Sequence, residues 1–225
     1  MEIYIDIETL PGTVQPSIDD LIAKAPGNLK KPETIQQWAK DNQENEWRKQ
    51  ALDSMQGRIL SIGWAIGDDP AQAMTVGLDA IEDEADLLRT FQELLLDHPI
   101  DLSRLDWVGH NIRTFDLPWI WRKSLKYRLH ALARIIPRQK FDKRIQDTLE
   151  LWAADFRDRV SIQDIANFLG LRGKTDGVDG SKVFDLWQAG YLQIINDYCC
   201  DDVELTRNVH RIITGQPVLE VEEAV

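Results

Sequence analysis

The stretch Met1-Glu2-Ile3-Tyr4-Ile5-Asp6-Ile7-Glu8-Thr9 alternates apolar and polar side chains. This period of two predicts a β-strand that packs its isoleucine face on a core. Asp6 and Glu8 are two residues apart, so both carboxylates project from the same face of that strand. Two carboxylates this close repel each other unless a cation lies between them, and Mg²⁺ or Mn²⁺ favours such oxygen ligands. The pair therefore indicates part of a metal site or, taken alone, a solvated strand end with two exposed acids.

Hydrophobic patterns typical of helices and of further strands follow this strand along the chain. Residues 17–57 show a helical pattern that is broken near Pro26 and Pro32. Further patterns predict strands at Arg58–Ile66, Ala73–Leu78, Trp107–Val108 and near Ile145–Leu149, and helices at Ile81–Asp97, from about Leu117, and at Ser161–Phe168, Ser181–Gln188 and Tyr191–Ile213. This order predicts a three-layer α/β fold with a mixed central sheet flanked by helices. We expect a single domain over residues 1–225, with 17–57 as a helical insertion and 218–225 as an acidic tail.

The composition limits the classes of function. Of the 225 residues, 43% are hydrophobic, which is enough to build a core and excludes a disordered acidic chain. The formal net charge of −12 argues against a protein that binds nucleic acid through one broad basic face. The same charge disfavours binding to an anionic membrane surface. A local basic patch remains compatible with this bulk charge.

Cysteine usage and hydropathy both point to the cytoplasm. Cys199 and Cys200 are neighbours, which disulfide geometry rarely permits, and no Cys/His spacing suggests zinc. The acidic residues near Met1 do not fit a signal peptide. The longest uncharged apolar stretch, Ile59–Gly67, is far too short to span a bilayer. We therefore expect a cytoplasmic protein with free thiols and no membrane contact.

Two further motifs carry carboxylates. Tyr198 and Asp202 are four residues apart in the last predicted helix and so share one face. Asp116 ends the sequence Asn111-Ile112-Arg113-Thr114-Phe115-Asp116, which follows a buried strand at the point where a helix begins. Taken singly, the first pair is also expected by chance in an amphipathic helix, and Asp116 also fits a helix N-cap.

Together these motifs resemble the DEDD superfamily of 3′→5′ exonucleases, which has a ribonuclease-H-like fold. Four carboxylates match its three motifs in order: Asp6 and Glu8, then Asp116, then Asp202. Tyr198 matches the DEDDy branch, whereas the histidine position of the DEDDh branch is Asp197 here. Residues 161–171, the pair Gly173-Lys174 and residues 198–206 are similar to stand-alone exonucleases related to the proofreading domain of family-B DNA polymerases. The resemblance covers roughly residues 1–214.

The resemblance implies two-metal hydrolysis of phosphodiester bonds with release of nucleoside 5′-monophosphates, both ions being Mg²⁺ or Mn²⁺. It implies that Asp6 bridges the ions, that Glu8 and Asp202 complete the tighter site, and that Asp116 holds the second ion directly or through water. Tyr198 is expected to orient the attacking water, because a phenol with a pKa near 10 is a poor base at neutral pH.

The expected partner is a nucleic acid with a free 3′ end, with DNA favoured over RNA. Candidate substrate contacts are Thr9, Asn111, Phe115 and Lys174. Asn111 is a candidate hydrogen-bonding group beside the site, Phe115 a candidate for packing or for stacking under the terminal base, and Lys174 a candidate phosphate contact.

A basic block lies directly after the second motif. Residues 122–144 contain nine basic side chains and one carboxylate, Asp142, which gives a local charge of +8. The basic residues are Arg122, Lys123, Lys126, Arg128, Arg134, Arg138, Lys140, Lys143 and Arg144. These side chains are candidates for phosphate-backbone contacts or for a solvated surface. The early tryptophans, Trp38 and Trp47, fit a core, a subunit contact that would make a homo-oligomer, or base stacking.

Two other functions remain open at this point. One is a 3′→5′ exoribonuclease of the RNase D kind, because the 2′-hydroxyl decides between DNA and RNA and no residue shows how it is recognised. The other is a non-catalytic nucleic-acid-binding module on the same fold. Such modules usually lose a carboxylate, and all four carboxylates and the tyrosine are present here.

Overall fold

A computed structural model describes residues 1–99, 101–139, 141–153, 159–171 and 180–219. The chain divides into two compact units: Met1–Glu8 with Ile59–Val225, and Thr9–Arg58. The larger unit is an α/β structure whose mixed sheet is flanked by helices, as the order of sequence patterns predicts. No helix in the described ranges is long and apolar enough to cross a membrane.

Five strands form one sheet within the described residues: β1 (Glu2–Leu10), β2 (Arg58–Ile66), β3 (Gln72–Thr75), β4 (Asp106–Gly109) and β5 (Ile145–Asp147), in the spatial order β3-β2-β1-β4-β5. Strand β4 is parallel to β1 and to β5, and β3 is antiparallel to β2. The carboxyl ends of the three parallel strands therefore meet at one edge, which is where open α/β sheets usually bind ligands.

The helices are α1 (Ile18–Ala23), α2 (Pro32–Arg48), α3 (Glu84–Asp97), α4 (Asp116–Lys126), α5 (His130–Ile135), α6 (Thr148–Trp152), α7 (Ile162–Phe168), α8 (Val183–Gln188) and α9 (Leu192–Ile213). Most match a predicted helix within a few residues, and α7 starts as expected, with the Ser161 hydroxyl accepting the backbone N–H of Asp164 at 3.1 Å. The predicted strand Ala73–Leu78 is shorter in the structure because the chain turns at Gly77, whose φ is +91°.

Strand β1 packs its isoleucine face on the core as predicted, and it is covered on the other face as well. Its isoleucines enter the main core, where Leu87 and Phe91 of α3 also lie. The opposite face is buried as well, because Tyr4 packs with Val203 of α9 and its hydroxyl lies 3.3 Å from Nδ1 of His210. In the alternating pattern Tyr4 stands at a polar position. It can be buried because its hydroxyl has a hydrogen-bond partner, a histidine 206 residues away.

The unit Thr9–Arg58 contains α1, α2 and a short 3₁₀ helix at Lys49–Leu52. A capping box starts α1, since the Ser17 side chain accepts from Asp20 N and the Asp20 carboxylate accepts from the Ser17 backbone. Both early tryptophans are half-buried, and the Trp47 indole donates to the Gly12 carbonyl at 2.7 Å. The helical segment predicted at 17–57 therefore lies within a compact unit.

Candidate active site

Three carboxylates meet where β1 passes α9. One oxygen atom each of Asp6, Glu8 and Asp202 lies within 4.8 Å of the others, a group that could hold a metal ion. Glu8 and Asp202 are buried, at 8% and 7% exposure. Residues nearly 200 positions apart in sequence thus come together, as the resemblance of the motifs implies. Their ligand atoms are all carboxylate oxygens, which suits a hard divalent cation.

The approach of α9 to the sheet depends on a residue without a side chain. A Cβ atom at Gly63 of β2 would lie 2.8 Å from Sγ and 2.9 Å from the carbonyl oxygen of Cys199. Cys199 is fully buried, and its Sγ lies 3.8 Å from an Asp6 carboxylate oxygen. Both Cys199 and Cys200 are free thiols, as expected. The close contact at Gly63 brings the helix that carries Tyr198 and Asp202 against the strands.

Asp116 is the first residue of α4 and is buried beside the same strand. Its Oδ1 accepts the backbone N–H of Ile7, the residue between the two acids of β1, at 3.1 Å. Burial raises its pKa to about 7, and the carboxylates of Asp147 and Asp202 add to the rise. The N-cap position belongs to Phe115, so the N-cap alternative for Asp116 was wrong. Asp116 lies outside the 4.8 Å group of the other three acids.

Tyr198 lies on α9 one turn before Asp202, and an interaction with the Asp202 side chain contributes to the rise of the Tyr198 pKa. Burial raises the pKa of Tyr198 far above its usual value, and the carboxylates of Asp202, Glu8 and Asp6 raise it further. The phenol is therefore protonated at neutral pH. It can orient a neighbouring group through hydrogen bonds, but it cannot act as a base.

Asp147, which the sequence analysis did not single out, organises the loop between β4 and α4. Its Oδ1 accepts the backbone N–H of Asn111 at 2.9 Å and its Oδ2 that of Arg113 at 3.1 Å, while Oδ1 also caps α6 through Leu149 N. Burial raises the Asp147 pKa despite these donors. Its sequence signal was an aspartate at the end of a predicted strand, where N-caps commonly occur.

The predicted substrate contacts have different surroundings. The Thr9 hydroxyl donates to the Ala51 carbonyl at 2.6 Å within the unit Thr9–Arg58. Asn111 takes a left-handed conformation, with φ +60°, and its side chain accepts from the Thr114 hydroxyl. The Phe115 ring packs on Trp119, with centroids 5.8 Å apart. Lys174, together with Gly173, lies outside the described residues.

His110 holds the same loop from its other side. One of its ring nitrogens lies 3.0 Å from the Thr148 hydroxyl and the other 3.0 Å from the Val160 carbonyl. These contacts hold His110 in the turn that follows β4.

A family model described as a predicted 3′-5′ exonuclease related to the exonuclease domain of PolB matches residues 50–211, which is more than half of the chain. Among solved structures, the family B DNA polymerase from the hyperthermophilic archaeon Pyrobaculum calidifontis matches with a TM-score of 0.50 and 15% identity. The match covers 91% of this chain but only 23% of the polymerase, so this likeness concerns the fold. Comparison with curated proteins gives no match.

Proposed function

The chain belongs to the family of predicted 3′-5′ exonucleases related to the exonuclease domain of PolB, and we propose that it is a metal-dependent enzyme that shortens DNA from the 3′ end and releases nucleoside 5′-monophosphates. The observation that carries this proposal is the group of Asp6, Glu8 and Asp202, whose ligand oxygens lie within 4.8 Å of one another. Tyr198 lies one turn from one member of that group, Asp202, on α9.

The residues fit divalent cations. Three carboxylates in mostly buried positions repel one another, and the nearby buried Asp116 has a raised pKa, so a cation at this place would relieve an unfavourable arrangement. When bound, Mg²⁺ or Mn²⁺ would activate water and stabilise charge on the scissile phosphate and on the leaving oxygen. Asp6, Glu8 and Asp202 would hold one ion, and Asp116 together with Asp6 would hold a second.

The other roles follow from protonation and position. Tyr198 remains a phenol and orients the attacking water through its hydroxyl group. The Asp116 carboxylate accepts the backbone N–H of Ile7, which lies between the two acids of β1. The position of Asp116 is therefore tied to the strand that carries those acids. Asn111 and Phe115 lie in the loop before α4 and are proposed to contact the terminal nucleotide. Thr9 and Lys174 complete the proposed substrate contacts.

We place the whole activity in one exonuclease domain, with residues 17–57 as a helical insertion and residues 218–225 as a tail. The family match begins at residue 50, so most of the insertion lies outside the matched range.

The experiment uses DNA and RNA oligonucleotides of the same sequence, each labelled at the 5′ or the 3′ end, with Mg²⁺, Mn²⁺ or EDTA. We expect metal-dependent stepwise shortening of 5′-labelled DNA, with release of the 3′ label as a mononucleotide, and loss of both in Asp6→Ala. Faster shortening of RNA than of DNA would show that RNA is the substrate. Binding of either polymer without hydrolysis would show that the protein is a binding module and not a nuclease.

A further inference from the structure

A surface cavity of about 430 Å³ lies beside α4 and α5, lined by Trp121, Leu125, His130, Ala133, Arg134 and Arg138. Its lining combines an aromatic ring and aliphatic side chains with two guanidinium groups and an imidazole. None of these residues belongs to the acid cluster of Asp6, Glu8 and Asp202, and the roles proposed above for that cluster do not use them. Such a combination suits a ligand with one flat apolar part and one anionic part.

The cations of the basic block differ in how far they are already paired. Lys123 is buried and pairs with Glu84 at 3.3 Å, and Lys126 pairs with the same carboxylate at 3.3 Å. Arg144 pairs with Asp142 at 2.7 Å. Ion pairs within the protein neutralise these three cations. The block therefore has less positive charge available for a ligand than its sequence implies.

Arg134 and Arg138 differ from that group. Both are exposed, and neither forms a salt bridge with a carboxylate in the part of the chain that the structure describes. In a chain with a net charge of −12, two such arginines at one cavity make a local site where a phosphate is attracted. Arginine also suits phosphate because its planar fork donates two parallel hydrogen bonds.

The aromatic component lies next to these charges. The Arg138 guanidinium carbon is 4.9 Å from the centroid of the half-buried Trp121 ring. A nucleobase can stack on a tryptophan or on a guanidinium plane, and such stacking is tolerant of sequence. The cavity therefore offers a stacking surface and a phosphate contact side by side.

Helix α4 connects the cavity with Asp116, which is hydrogen-bonded to the strand that carries Asp6 and Glu8. Asp116 begins this helix, Trp121 lies five residues further along and Leu125 nine. At 3.6 residues per turn and about 1.5 Å rise per residue, they lie roughly 8 and 14 Å from Asp116 along the axis and on the opposite face of the helix. A substrate strand must therefore pass around α4 to join the two, so only a strand of several nucleotides can reach both.

From this placement we propose that the cavity binds one nucleotide of the substrate strand, several positions upstream of the scissile bond, with its base on the Trp121–Arg138 surface and its phosphate on Arg134. The proposal rests on the nuclease function and adds to it a site that grips the strand away from the reacting phosphate. It predicts that affinity rises with strand length once the strand reaches this cavity.

The test measures binding of 5′-fluorescein-labelled dT2 and dT12 by fluorescence anisotropy in EDTA, where no hydrolysis competes. The variant Arg134→Gln/Arg138→Gln is compared with Arg89→Gln/Arg104→Gln, which removes the same charge from two exposed arginines outside the cavity. We expect the cavity variant to bind dT12 about tenfold more weakly or worse. Its binding of dT2 should equal that of wild type.

The slope of log Kd against log salt for dT12 should also fall by about 0.7 in the cavity variant, since the one phosphate contact, that of Arg134, is lost. Equal weakening in both variants would overturn the proposal, as would equal weakening for dT2 and dT12, or dT12 binding that neither variant changes. Hydrolysis is measured separately with Mg²⁺ and Mn²⁺. Length-dependent binding by an inactive wild type would refute the nuclease function and leave the cavity site standing.

Discussion

Asp147 is 2% exposed and accepts backbone N–H groups from Asn111, Arg113 and Leu149. Two of these donors belong to the loop that ends at Asp116. The carboxylate therefore fixes the path of the chain from the end of β4 to the start of α4. A neutral or shorter side chain at this position would leave buried N–H groups without acceptors, which is costly.

We predict that Asp147→Asn lowers the free energy of unfolding by about 1–3 kcal/mol, because an amide NH₂ replaces one accepting oxygen and faces a donor. It should lower kcat more than it raises KM, since the misplaced loop carries Asp116. Denaturant unfolding and steady-state kinetics measure these effects. Asp101→Asn is the matched control, because Asp101 accepts from Ser103 N in an exposed turn. Equal effects of the two variants would contradict the positioning role.

His210 gives the fold a dependence on pH. Burial lowers the pKa of His210 below 6.5, so the unfolded chain binds a proton at pH values where the folded chain does not. Stability is therefore retained above about pH 6.5 and lost as the pH falls below it. We expect His210→Gln, which retains a hydrogen-bonding side chain beside Tyr4, to reduce this loss. Thermal unfolding between pH 5 and 8 checks the prediction, which fails if the variant and wild type lose stability in parallel.

At the scale of elements, the contact of β2 with α9 controls the geometry of the acid cluster. A methyl group at Gly63 would overlap Cys199 in both side chain and backbone, so α9 would have to move away from the sheet. Asp202 lies on the same helix and would move with it. The sheet and this helix must therefore remain closely packed if the carboxylates are to share a cation.

We predict that Gly63→Ala lowers stability by about 1–3 kcal/mol through overpacking and also weakens Mn²⁺ binding. Gly27→Ala should do neither, because no atom lies within 4 Å of the added Cβ at Gly27. Isothermal titration with Mn²⁺ and thermal unfolding give the two readouts. Unchanged Mn²⁺ affinity in Gly63→Ala would show that the position of α9 does not determine the cation site.

Elements with a clear period could be predicted from the sequence. Strand β2 matches its predicted bounds, and α9 differs by one residue at its start. Helix α5 was not predicted, because six residues are too few to show a periodicity, and Arg128 just before it has a positive φ. The second buried face of β1 was missed because Tyr4 is buried through its contact with a distant histidine.

At the scale of the whole molecule, the motif acids could be found because their types, order and spacing are visible in the sequence. The structure places three of them in one group. Asp147 and the cavity at Trp121 and Arg138 could not be found in this way, because their roles arise from contacts that only the folded chain creates. The net charge of −12 likewise gives no indication that two exposed arginines lie together at the cavity.

A cation at the acid cluster should stabilise the entire fold, because the unfolded chain has no such site. At a cation concentration 100 times the dissociation constant, the free energy of unfolding should rise by about 2.7 kcal/mol. We expect Mn²⁺ to raise the melting temperature of wild type, EDTA to reverse the rise, and Glu8→Gln to diminish it. A rise of the same size in Glu8→Gln would place the cation elsewhere.

The central claim is that the carboxylates joined by β1 and α9 catalyse removal of 3′ nucleotides. Its most direct test is the initial rate of shortening of 5′-labelled DNA with Mn²⁺, comparing Asp202→Asn with Asp201→Asn. Asp202 belongs to the acid group and its neighbour on α9 does not. We predict that Asp201→Asn retains a rate near that of wild type. The rate of Asp202→Asn should fall about 100-fold or more, a loss of about 2.7 kcal/mol of transition-state stabilisation. Shortening by Asp202→Asn at the wild-type rate would contradict the assignment.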